Sequence, residues 1–340
     1  MTLVVQEAMS AKERAGVMDE RLIEQLRAIA SVKTGEALSR HTTFGIGGPA
    51  DIFVTVSNAD ELARAVVARE ASSPVFILGA GSNILVGDRG IRGVVIDNQA
   101  KATRVGQLRI GADRPGKLPA AFGALRESDI VVWAESGVPF ASLARQTARD
   151  GYAGTEWAAG IPGTMGGAVV YNAGAYEGCL ADVLLAVTLL DGKGAQRHVP
   201  AGEMKLAYRS SAILRGECAG CVVLSVELAL RKGDGTALMR RVAELDGRRL
   251  SAQPRGRNSG STFKNPANDH AWRLIDAVGL RGYRIGNAQF SNKHSNFIEN
   301  LGAARAVEVA ALMREAQRRV KEKFAIDLQP EVELVGEGFE

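Results

Sequence analysis

The apolar patterning of this 340-residue chain predicts an α+β fold. Two long, largely apolar stretches, Val183 to Leu190 and Val222 to Leu230, read as antiparallel strands. Helical spacing is confined to separate segments, most clearly Ala303 to Phe324, instead of following every strand as a doubly wound parallel sheet requires. With 46% apolar and 24% charged residues the chain lies in the ordinary globular class, long enough for two or three packed domains.

The elements follow in order. Leu22, Leu26 and Ile29 share a face, which predicts a short helix over 18–30. Ile52 to Val56 is β-branched and alternating, hence a strand. Asn58 or Ser57 caps a helix over 58–70 whose inner face carries Leu62, Ala65 and Val66. Val75 to Leu78, Ile84 to Val86 and Ile91 to Asp97 are buried strands. Residues 98–129 carry Arg, Gly and Pro without sustained periodicity, so an expanded surface loop is expected there. Ile130 to Ala134 is a strand, and Phe140 to Asp150 a helix with Leu143, Ala144, Thr147 and Ala148 inward. After the two long strands come a basic helix from 231, a loop over 255–266, a short helix around Trp272 to Ile275, the 303–324 helix and a last strand at 331–335. The expected division is 35–230 (parts at about 35–97 and 98–230) and 231–340.

Glycine, 39 residues, is about 1.6-fold above the usual ~7%, and much of it sits in two runs. Val75-Phe76-Ile77-Leu78 leads into Gly79-Ala80-Gly81-Ser82-Asn83, where successive backbone N–H groups can converge on phosphate oxygens and two short side chains add donors. No Lys-Ser/Thr pair follows, so this is not a Walker loop. Nor does a helix follow as in a dinucleotide fingerprint. The second run, Gly160-Ile161-Pro162-Gly163-Thr164-Met165-Gly166-Gly167, can lie flat against a large planar or phosphorylated ligand. Two such runs suggest one extended ligand, a dinucleotide, held in two places.

Polar islands surround them. Arg209 in Tyr208-Arg209-Ser210-Ser211 is a fixed positive charge suited to a carboxylate or enolate, or else a plain surface arginine. Ser261 in Gly260-Ser261-Thr262-Phe263-Lys264-Asn265-Pro266 has no histidine base beside it, which suits proton delivery better than acyl transfer. Asn292 to Phe297 is dense in donors, with His294 either in a binding wall or a structural hydrogen-bonding residue. Glu331 stands on rigid backbone after Pro330. Four scattered histidines with no paired spacing argue against a metal site.

The net charge is +4. The most basic stretch, Arg231 to Arg257, holds eight Arg/Lys against three Asp/Glu without the aromatic interleaving of single-strand binders, so no nucleic-acid partner is expected. Cys179, Cys218 and Cys221 do not form a secreted framework, and Cys221 reads as apolar filler ahead of a strand. With no export signal or 18-residue apolar run, a cytoplasmic protein without membrane insertion is expected.

Seven segments in order over residues 35–336 resemble the UDP-N-acetylenolpyruvoylglucosamine reductase family. They are Thr43 to Ala50, Leu78 to Val86, Gly160 to Gly167, Tyr208 to Ser211, Gly260 to Pro266, Ser291 to Ile298 and Gln329 to Val332. The resemblance implies an FAD-binding fold of the vanillyl-alcohol-oxidase type followed by a smaller α/β substrate-binding domain. It implies non-covalent FAD, its pyrophosphate on Gly79, Ala80, Gly81, Ser82 and Asn83. The isoalloxazine would lie near Gly160, Ile161, Pro162, Gly163, Thr164, Gly166 and Gly167. NADPH would be the reductant and the enolpyruvyl ether of UDP-N-acetylglucosamine the substrate, in peptidoglycan precursor synthesis. Flavin N5 would give hydride to the terminal vinyl carbon and Ser261 a proton to the α-carbon. Arg209 and Glu331 would stabilise the enol-like charge between these steps, Glu331 best while it holds or shares a proton. Tyr208, Lys264 and Asn296 are the wider substrate wall, and the chain is expected to act as a monomer. No long insertion with a capping tyrosine lies between Val183 and Tyr208, as in the family branch without that lid. Three features depart from the pattern: the 98–129 stretch with Arg104, Arg109, Arg114 and Lys117, the acidic Glu299, and the basic helix around Arg240 to Arg249. The competing readings are another FAD-dependent alcohol or sugar oxidoreductase of the same fold and a non-redox UDP-sugar-binding protein.

Overall fold

The first predicted helix forms as α1 (Glu20–Arg27), which buries Leu22, Ile23 and Leu26. The structure is a computed structural model that describes residues 20–68, 73–108, 126 and 128–340. β1 (Ser31–Ala37) and β2 (Pro49–Val56) precede α2 (Ala59–Ala68). Asn58 caps α2: its Oδ1 accepts the Glu61 N–H at 2.9 Å, while the Glu61 carboxylate accepts from the Ser57 N–H and the Asn58 amide. β3 (Val75–Leu78) and β4 (Ile84–Val86) flank the first glycine run, and β5 (Ile91–Asn98) follows. β3 and β5 are parallel in a sheet of order β1-β2-β5-β3.

Within the 98–129 stretch the structure contains a strand that the sequence does not announce. β6 (Thr103–Gln107) pairs antiparallel with β7 (Ile130–Glu135). All five β6 residues are exposed, so no apolar alternation marks it. Its Arg104 has a clear contact, the guanidinium lying 4.8 Å from the centroid of the Trp133 ring. Arg109, Arg114 and Lys117, with most of the expected loop, lie outside the described residues.

α3 (Phe140–Arg149) buries the face its spacing predicts, and β8 (Tyr152–Ala153) follows. The second glycine run is not flat throughout: α4 (Met165–Tyr171) begins inside it. Gly166 is there for close packing, since a Cβ on it would stand 3.1 Å from the Ser136 Cβ. After β9 (Gly174–Ala175) and β10 (Gly178–Cys179) come β11 (Leu184–Leu190), β12 (Gln196–Pro200) and β13 (Val222–Lys232). β11 and β13 pair antiparallel as expected, in the order β12-β11-β13-β7-β6. Val132 and Ala134 of β7 and Val226, Leu228 and Leu230 of β13 form one core with Leu143 and Ala144 of α3 and Met165 and Val169 of α4. Cys221 is buried in that core as filler and is also bridged to Cys218.

The basic helix is α5 (Gly235–Ala252), followed by α6 (Ala271–Ala277). β14 (Arg284–Ile285), β15 (Ala288–Phe290) and β16 (Ile298–Asn300) form an antiparallel meander whose strands are too short to read from sequence. α7 (Ala306–Phe324) presents Val309, Met313, Ala316 and Val320 to a second core containing Phe263, Leu274, Phe290 and Ile298. β17 (Glu333–Val335) pairs in parallel with β4.

Two compact units result. One gathers the described residues up to Lys33 with Ile52–Gly79 and Gly93–Gly247; the other gathers Thr34–Asp51, Ala80–Arg92 and Arg248–Glu340. The β4–β17 pairing is what gathers the stretch after the first glycine run with the C-terminal residues.

Candidate active site

In the first unit the two glycine runs meet. Gly79 follows β3 directly, and a Cβ there would stand 2.6 Å from Thr164 Oγ1. The second run is stitched to the end of β7: the Met165 N–H donates to Val138 O, the Gly166 N–H to Ser136 O, and the Phe140 N–H to Gly163 O. Pro162 is exposed and Gly160, Ile161, Gly163 and Gly167 are half-exposed, so this segment turns an open backbone surface outward.

The Arg209 loop is clipped to the far end of α4. Ala207 and Ser210 exchange backbone hydrogen bonds across a tight turn, and Arg209 within it adopts φ +49°. A left-handed conformation costs a side-chain-bearing residue about 1–2 kcal/mol, so surrounding contacts must hold it. The Arg209 guanidinium donates to Gly174 O at 3.0 Å and lies 5.6 Å from the Tyr208 ring centroid. Tyr208 itself is exposed. Two buried polar residues anchor the loop, neither legible as functional in the sequence. Asn172 donates through Nδ2 to Ala207 O, and the Ser211 hydroxyl donates to Val170 O.

In the second unit the cradle continues through Ala80. Gly81 has φ +59°, and a Cβ on it would stand 2.3 Å from His41 O, so only glycine fits. The Thr43 N–H donates to Gly81 O. Asn83 then reaches the C-terminal strand: its Nδ2 donates to Glu331 O at 3.2 Å, and its carbonyl accepts the Glu333 N–H at 3.0 Å. The Glu331 N–H in turn donates to Thr262 O at 2.9 Å, and the Lys264 N–H to Gln329 O. Ser261, Lys264 and Glu331 are therefore carried by two extended segments in fixed register, tied to the last cradle residue.

Asn296 differs from the donor-wall expectation in a specific way. It is buried and its amide is engaged on the Phe263 backbone, Oδ1 accepting the N–H at 3.0 Å and Nδ2 donating to the carbonyl at 2.8 Å. It holds the Ser261 loop from behind. His294 takes the structural alternative, with Nδ1 accepting the Asn296 N–H and the ring packing edge-on to Phe297. Glu299 is half-exposed and alternates along β16 with the buried Ile298 and Asn300, which removes the difficulty of an acid in the core.

The donor set suits an anionic cofactor: from 79 to 87 the chain offers successive N–H groups, the Ser82 hydroxyl and no acidic side chain. A family model described as an FAD binding domain matches residues 49–200, which contain both glycine runs. A second, described as UDP-N-acetylenolpyruvoylglucosamine reductase, C-terminal domain, matches 253–335, which contain Ser261, Asn296 and Glu331. The chain is 39% identical to UDP-N-acetylenolpyruvoylglucosamine reductase 2 of Symbiobacterium thermophilum over 94% of its length and 97% of the relative's. It is 41% identical to the reductase of an Anaeromyxobacter species over 95% and 94% of the two chains. The crystal structure of the Thermus caldophilus reductase superposes with a TM-score of 0.70 at 35% identity, covering 90% of this chain and 99% of that one. The fold is thus α+β with an FAD-binding domain ahead of the reductase C-terminal domain, and the chain belongs to the UDP-N-acetylenolpyruvoylglucosamine reductase family.

Proposed function

We propose that the protein reduces the enolpyruvyl ether of UDP-N-acetylglucosamine to UDP-N-acetylmuramate in peptidoglycan precursor synthesis, with NADPH as reductant. The observation that carries this reading is the hydrogen-bond network joining Asn83, Thr262 and Glu331, which sets a hydroxyl loop and an acid in register with the end of the cofactor cradle. When bound, FAD supplies the hydride that the enolpyruvyl double bond accepts. Gly79 to Asn83 hold its pyrophosphate and Gly160 to Gly167 its ring system. Arg209 supplies a fixed positive charge to the substrate carboxylate, and Glu331 stabilises the enol-like charge that builds beside it. Ser261 Oγ delivers the proton to the α-carbon. Tyr208 and Lys264 line the substrate wall, and Asn296 shapes that wall by holding Phe263. The cofactor region is 35–230 and the substrate region 231–340. The protein acts as a cytoplasmic monomer on small molecules; among the described residues no helix is long and apolar enough to cross a membrane.

The test is a stopped-flow separation of the two half-reactions. In Ser261→Ala, flavin reduction by NADPH should stay near the wild-type rate, while reoxidation by the UDP-enolpyruvyl sugar should slow by roughly 10²–10⁴-fold. Equal slowing of both removes Ser261 as the proton donor. A wild-type flavin that this substrate does not reoxidise removes the whole reading, and flavin left covalently attached after acid precipitation favours an oxidase of the same fold.

A further inference from the structure

Arg209 is held in a strained turn, and one of the contacts that keep it there comes from a buried residue with no assigned duty. Asn172 ends α4 in the left-handed conformation, with φ +42°. Glycine is the residue such a helix end ordinarily favours, because it adopts this backbone without steric cost. The chain instead carries a side chain here, 5% exposed, and engages both ends of its carboxamide. Nδ2 donates to Ala207 O at 2.9 Å, the first residue of the Arg209 turn. Oδ1 accepts the Ala181 N–H at 3.1 Å, in the segment that follows the β9–β10 hairpin. That hairpin carries Gly174, whose carbonyl accepts the Arg209 guanidinium. The one carboxamide therefore ties the base of the Arg209 turn to the hairpin that receives the Arg209 head group.

We propose that Asn172 is a positioning residue, which fixes Arg209 for its action on the substrate carboxylate. The catalytic part of this rests on the proposed function above; the tether does not. A left-handed backbone explains why glycine is the informative replacement. Asn172→Gly keeps the helix end and removes only the carboxamide, so it separates the tether from the fold.

Three measurements on the FAD-loaded protein test the assignment. First, in Asn172→Gly, flavin reduction by NADPH should hold its wild-type rate while reoxidation by the UDP-enolpyruvyl sugar slows by on the order of ten- to a hundredfold, as expected for a misplaced catalytic group. Second, the substitution should change that rate less than about twofold in an Arg209→Ala background, because residues acting through one another are not additive. Third, trypsin should cut the native protein after Arg209 faster in Asn172→Gly than in wild type, a readout independent of catalysis. Asn172→Asp, which keeps the acceptor toward Ala181 but sets a carboxylate oxygen against Ala207 O, should speed cleavage after Arg209 at least as much as Asn172→Gly and serves as the tethering test if the glycine variant does not fold. Additive effects with Arg209→Ala overturn the positioning role, and unchanged cleavage after Arg209 overturns the tether. Failure of the wild-type protein to be reoxidised overturns the catalytic claim through the proposed function, while the cleavage comparison still decides the tether.

Discussion

Burial lowers the pKa of His294 below its ordinary value of 6.5, and the nearby Arg281 adds to the shift while Asp276 opposes it. The unfolded chain therefore takes up a proton at a higher pH than the folded one. The contribution of His294 to stability is complete above about pH 6.5 and is lost as pH falls toward the lowered folded value. The urea midpoint of the wild-type protein should drop more steeply between pH 7 and pH 5 than that of His294→Gln, which cannot titrate. Parallel pH profiles for the two would show that the ring makes no such contribution. The sequence left two roles open for this histidine, because a donor-rich segment looks the same whether its groups face a ligand or each other. The same ambiguity applied to Asn296, whose amide is engaged on Phe263 across 33 positions. Asn172 gave less signal still, since nothing local marks a carboxamide that works on Ala207.

At the level of elements, α7 owes its start to a residue far away in the chain. Asp88, two positions after β4, accepts the Ala306 N–H at 2.8 Å through Oδ1 and the Val307 N–H at 3.1 Å through Oδ2. A carboxylate there meets donors that the helix leaves open and the positive end of its dipole. Asp88→Ala should cost about 1 kcal/mol and lower the midpoint of thermal unfolding by about 2–4 °C, read by circular dichroism; Asp88→Asn should recover part of the loss. No change in either variant would mean that water replaces the cap at no cost. α7 was legible because Val309, Met313, Ala316 and Val320 repeat at helical spacing, and α3 likewise through Leu143, Ala144, Thr147 and Ala148. β6 was not, since an exposed strand has no reason to alternate, and α4 was hidden because Gly166 and Gly167 favour no particular structure. The cap itself could not be read, because it spans 218 positions.

At the scale of the whole molecule, contacts distant in sequence tie the end of the first glycine run to the segment that carries Glu331. The fold class followed from β11 and β13, whose apolar runs are long enough to read as paired strands. The joining of β4 to β17 did not, because three-residue strands some 250 positions apart carry no pattern that selects each other. That pairing continues directly into the contacts of Asn83 with Glu331 and Glu333, so the cradle's last residue is part of the C-terminal unit's own hydrogen bonding. A cofactor that binds the folded cradle and not the unfolded chain must then stabilise the fold by mass action, by about 2.7 kcal/mol when free FAD stands at a hundred times its dissociation constant. Stripping the flavin should lower the unfolding midpoint by several degrees, and adding FAD back should restore it in proportion to the logarithm of its concentration. AMP and riboflavin, each lacking the pyrophosphate, should restore much less. Equal rescue by riboflavin would place the binding energy on the ring system alone and take the pyrophosphate role away from Gly79 to Asn83.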